Sequence, residues 1–117
     1  MIDIISDELN IIIKSDKVVL LLLGGWNFSF CSLSKSVCCM LKELNIHFSS
    51  VSLLNYPNVK EFIQTKHPEM LAPYLFVDGY FIGGFDEISA LYYTNQLKTI
   101  IHSKIKYAST KNLGLKV

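Results

Sequence analysis

The sequence predicts a single α/β domain whose mixed four-stranded sheet is flanked by helices. Three observations carry that prediction. The aliphatic run Val18 to Leu23 ends at Gly24-Gly25, amphipathic stretches lie on either side of it, and Asp78-Gly79 sits between two short apolar runs. A continuous apolar run of that length reads as a strand covered on both faces. An Asp-Gly pair between β-forming residues is the signal of a tight hairpin.

Taken in order, Ile5, Leu9, Ile12 and Ile13 form an apolar stripe over residues 2–14, which predicts a first helix. Val18 to Leu23 is the first strand. Leu33, Val37, Leu41 and Leu44 repeat at helical spacing over residues 31–45, and Phe48, Val51 and Leu53 alternate loosely in a second strand over 47–54. Pro57 suits the first turn of a third helix that stops before Pro68. Tyr74 to Val77 and Tyr80 to Ile82 form the hairpin, closed by Gly83-Gly84. From Phe85, the positions Ile88, Leu91, Tyr92 and Ile100-Ile101 predict one final helix. The order is α-β-α-β-α-β-β-α, with the helix-crossed pair parallel and the last two strands antiparallel. The domain is expected over residues 2–107, followed by a polar, flexible tail over 108–117.

Composition narrows the function. The 117 residues are 50% hydrophobic and 18% charged, with 11 Lys plus Arg against 10 Asp plus Glu. A formal charge of +1 gives no footprint for nucleic acid or an anionic membrane surface. Mean hydropathy is high at +0.34, yet the Val18 to Leu23 run falls far short of the roughly 20 apolar residues of a membrane span. Three clustered cysteines do not make the disulfide framework of a secreted domain, and the acidic N-terminus lacks the basic start of an export signal. The expectation is a cytoplasmic protein, with the mitochondrial matrix as the alternative.

Cys31 follows a strand and a glycine-containing loop and opens a helix, where unpaired N–H groups favour a thiolate. A buried, inert cysteine is the competing reading. Cys38 and Cys39 lie roughly 10 to 12 Å further along the same helix and read as structural. Ala72-Pro73 precedes a hairpin strand; proline cannot donate to the ladder, so a neighbouring amide and carbonyl are left for a ligand, whether the bond is cis or the commoner trans. Gly83-Gly84-Phe85-Asp86 joins strand to helix, either as a turn whose amides hold a carboxylate or as a plain loop capped by Asp86. His47, His67 and His102 have no metal-ligand spacing.

These residues, in this order, resemble the monothiol glutaredoxins, which have a thioredoxin-like fold. The resemblance covers roughly residues 2–95 and rests on Val18-Val19-Leu20 leading to Gly24, Cys31-Ser32-Leu33-Ser34, Ala72-Pro73, Leu75-Phe76-Val77-Asp78-Gly79 and Ile82-Gly83-Gly84-Phe85-Asp86. It implies a cis bond at Pro73, with glutathione added as a strand beside Ala72 and Pro73 and its γ-glutamyl end at Gly84, Phe85 and Asp86. It also implies that Cys31 acts as nucleophile or iron ligand, and that Ser34 stands where relatives with two thiols carry the second. A [2Fe-2S] cluster shared by a homodimer would use Cys31 from each chain and two glutathione thiols. The implied function is cluster binding or transfer with glutathione, in iron–sulfur metabolism and redox homeostasis, serving acceptor or assembly proteins, with at most weak thiol transferase activity. A glutathione-dependent thiol–disulfide oxidoreductase and a binding module without glutathione are the alternatives. Ser32 and Leu33 depart from the family's Cys-Gly-Phe-Ser, Trp26-Asn27-Phe28 makes the preceding loop more apolar, and Leu23 replaces a lysine that pairs with the glycine carboxylate. Gln64, with Lys66 beside it, is the substitute partner.

Overall fold

The computed structural model describes residues 2–23 and 32–105. Cys31, Gly24-Gly25, the Trp26-Asn27-Phe28 loop and the 108–117 tail lie outside the described residues. The elements are α1 (Ile2–Ile13), β1 (Val18–Leu22), α2 (Ser32–Glu43), β2 (Ser49–Ser52), α3 (Pro57–Lys66), β3 (Tyr74–Val77), β4 (Tyr80–Gly83) and α4 (Phe85–Tyr93). A last helix, α5, occupies residues 97–105. Strand order is β2-β1-β3-β4, with β1 parallel to β2 and antiparallel to β3, and β3 antiparallel to β4. This is the predicted thioredoxin-like arrangement.

The unbroken apolar run of β1 has a direct cause. Its alternate residues serve two cores. Val18, Leu20 and Leu22 face Val37, Leu41, Ile88, Leu97 and Ile101, while Val19 and Leu21 face Ile12, Ile13, Val59 and Ile63. α2, α4 and α5 therefore cover one face of the sheet and α1 with α3 the other. Leu20 and Leu21 are fully buried, each stabilising the fold by about 1.5–3 kcal/mol.

The hairpin forms as its residues require. Asp78 and Gly79 both take positive φ, 52° and 84°, matching the right-handed twist of the flanking strands. Beyond it the β3–β4 register slips between Leu75 and Phe76, leaving Ile82 without an opposite residue and turning the chain at Gly83, whose φ of +149° favours glycine.

Two boundaries differ from the expected ones. The second strand shortens to Ser49–Ser52 because Ser52 accepts the Leu54 N–H on its Oγ at 3.3 Å and starts a 3-10 turn over Leu53–Asn55. The single final helix is divided at Thr94–Gln96. Asn95 adopts φ 61°, its N–H donates to the Tyr92 carbonyl, and the Gln96 N–H donates to that of Leu91. That pair of bonds is the Schellman ending. Asn45 closes α2 in the same way, with φ 60° and the Ile46 N–H on the Leu41 carbonyl at 2.9 Å. Among the described residues no helix is long and apolar enough to cross a membrane.

Candidate functional site

The candidate site gathers at the start of β3. Ala72-Pro73 is cis, Pro73 is buried and Ala72 is half-buried. The β1–β3 ladder begins at Leu21 opposite Tyr74, so the peptide groups before Pro73 stand beyond the end of the paired strand. A buried proline fixes that edge while withholding a donor from it.

The Gly83-Gly84 turn is fastened directly to this edge. The Phe85 N–H donates to the Leu71 carbonyl at 2.7 Å, and a Cβ at Gly84 would collide with the same carbonyl oxygen. Only glycine permits that approach. Gly84 is also the N-cap of α4, and its N–H donates to Glu87 Oε1 at 2.9 Å, so the first turn is capped by Glu87 rather than by Asp86. Asp86 is exposed at the second helical position, where the helix supplies no acceptor for an N–H.

Gln64 reaches the same neighbourhood from α3. Tyr74 is only 1% exposed, and burial pushes its hydroxyl pKa up, while a hydrogen bond with the Gln64 side chain works in the opposite direction. Lys66 is turned elsewhere, with its Nζ 5.4 Å from the centre of the Phe62 ring. Leu23 is half-buried.

Along α2 the residues separate clearly. Ser32 is the first helical residue, Ser34 is buried, and Cys31 lies just before the described segment. Cys38 packs into the core beside Val37 and Leu41, and burial raises its thiol pKa. Cys39 is exposed, and both thiols are free. His67 stacks on Phe81 with ring centres 4.8 Å apart, a packing role. The structure thus brings Gln64, Ala72, Pro73, Gly84, Phe85 and Asp86 to one end of β3. Sequence reasoning passed over Leu71 and Glu87. Glutamate three residues after a helix cap was a usable signal for the second; Leu71 acts through its main chain and left none.

No protein-family model matches the chain. It is 30% identical over 94 residues to the chloroplastic monothiol glutaredoxin-S14 of Arabidopsis thaliana, covering 80% of this chain and 54% of that one. It therefore spans about half the length of that relative. It is 28% identical over 94 residues to the probable monothiol glutaredoxin 2 of Rickettsia typhi, covering 80% and 85% of the two chains. The solution structure of reduced poplar apo GrxS14 superposes with a TM-score of 0.69 at 29% identity, covering 86% of this chain and 92% of that one. In sequence the chain is similar to the monothiol glutaredoxins, and its fold is thioredoxin-like.

Proposed function

We propose that the chain binds glutathione along the Ala72–Pro73 edge and uses it, with Cys31, to hold or pass on a [2Fe-2S] cluster. The observation that carries this reading is the Ala72–Pro73 edge fastened to the α4 turn by the Phe85 N–H, which donates to the Leu71 carbonyl. One end of an extended peptide would pair with the main chain beside Ala72. Its γ-glutamyl carboxylate would meet the turn, where Gly84 and Phe85 already donate their N–H groups within the chain, so Asp86 supplies the N–H of these three. Gln64 serves the glycine carboxylate as a neutral donor where relatives use a charged one. A neutral contact is worth about half a charge-assisted one, so glutathione binds more weakly here than beside a lysine.

Ser34 brings no thiol, so one cysteine per chain is available at the α2 start. Four-sulfur ligation of a [2Fe-2S] cluster is then met by Cys31 from two chains and two glutathione thiols, which makes the loaded form a homodimer. Such a cluster supplies one-electron chemistry or is itself the cargo delivered to acceptor proteins. The chain's own part is to orient glutathione and present a single thiolate.

Anaerobic reconstitution with iron, sulfide and glutathione tests the proposal. Wild type is expected to become coloured and dimeric, and Cys31→Ser to stay colourless and monomeric. A colourless wild-type monomer overturns the cluster reading, and turnover of a glutathione mixed disulfide by that protein would then favour a thiol transferase.

A further inference from the structure

Two residues outside the proposed contact set hold the site's parts together. The Leu71 carbonyl accepts the Phe85 N–H at 2.7 Å, and Gly84 lies too close to that carbonyl to admit a Cβ. From the other side Glu87 folds back over Gly83, where a Cβ would lie 2.5 Å from the Glu87 Cβ and 3.5 Å from its Oε1. The same Oε1 accepts the Gly84 N–H at 2.9 Å. Gly84 is therefore gripped between a backbone carbonyl before Pro73 and a carboxylate on α4. The tie owes nothing to the Leu71 side chain, which is 51% exposed.

We infer that the Glu87–Gly84–Leu71 clamp sets the spacing between the Ala72–Pro73 edge and the Asp86 N–H, so that the site selects ligands long enough to bridge both. The inference rests on the glutathione reading and deepens it. Glu87 is a positioning residue. It acts on a ligand only through the main chain that it holds. A tripeptide engaging both anchors depends on their separation. A cysteinyl-glycine dipeptide reaches only the Ala72–Pro73 edge and is indifferent to it.

The test is an NMR titration of the full chain with S-methylglutathione and with S-methyl-cysteinylglycine, the methyl group keeping thiol chemistry out of the measurement. Wild type, Glu87→Ala and Glu87→Gln are compared. Loss of one hydrogen bond predicts that Glu87→Ala weakens the tripeptide about three- to tenfold and leaves the dipeptide unchanged. Glu87→Gln keeps a carbonyl acceptor and is expected to stay near wild type. If Glu87→Ala does not fold, Glu87→Asp, which keeps the charge but withdraws the acceptor, is held to the same comparison. Equal losses for both ligands, or no loss for either, overturn the clamp while glutathione binding stands. Absence of binding to wild type overturns the glutathione reading and the clamp with it.

Discussion

Asp16 shows how a carboxylate at the molecular surface becomes tied to folding. The Ser49 hydroxyl donates to its Oδ2 at 2.6 Å and the Lys17 N–H to its Oδ1 at 2.7 Å, and these bonds, the serine first, hold its pKa below the ordinary carboxylate range. A depressed folded-state pKa contributes stability that is present above the unfolded value of about 3.9 and is lost as pH falls through the folded value. Ser49→Ala is therefore expected to be less stable than wild type at pH 6, with the gap narrowing as pH drops below about 4. Urea denaturation at a series of pH values checks this, and a gap that does not change with pH would contradict it. At this scale the sequence was partly readable. The proline edge and the glycine turn were marked by residue type, and Glu87 by its place three residues after Gly84, whereas the bond from Ser49 to Asp16 joins residues 33 apart and no local pattern encodes it.

Helix endings are where element boundaries were least legible. The apolar spacing of Ile88, Leu91, Tyr92 and Ile100-Ile101 runs through Asn95 as though one helix continued, because the residues on both sides of the break pack into the same core. Asn45 and Asn95 are the residues that stop α2 and α4, each in the left-handed region. Asparagine tolerates that conformation better than alanine, and glycine better still. Asn95→Ala should accordingly cost about 1 kcal/mol and Asn95→Gly should cost nothing or stabilise slightly, both read from denaturant midpoints. The strands were easier to place. Continuous apolarity in β1 and the Asp78-Gly79 pair each report a requirement met within a few residues, while the end of β2 is decided by the Ser52 hydroxyl.

Across the whole molecule, stability resides in two apolar clusters either side of the sheet. Leu20 belongs to the one under α2, α4 and α5. Its replacement by alanine is expected to cost about 2–5 kcal/mol, a large share of a small domain's total, measured by thermal or chemical unfolding. The overall architecture was legible because its determinants are summed over many residues: two faces for one strand, one hairpin and one crossover. The candidate site could be named from the sequence as a set of positions but not as a unit, since Leu71 joins its halves through a main-chain carbonyl and Glu87 through a carboxylate oxygen that accepts the Gly84 N–H.

The alternation along β1 has a further consequence. A strand whose odd and even residues belong to different cores gives neither layer a boundary at which to separate. Loosening the packing under α1 and α3 withdraws Val19 and Leu21 from their neighbours and shifts the backbone that carries Leu20 and Leu22 on the opposite side. The two helical layers are therefore expected to share one melting temperature, with the domain unfolding as a single cooperative unit rather than as two half-cores that fail in turn.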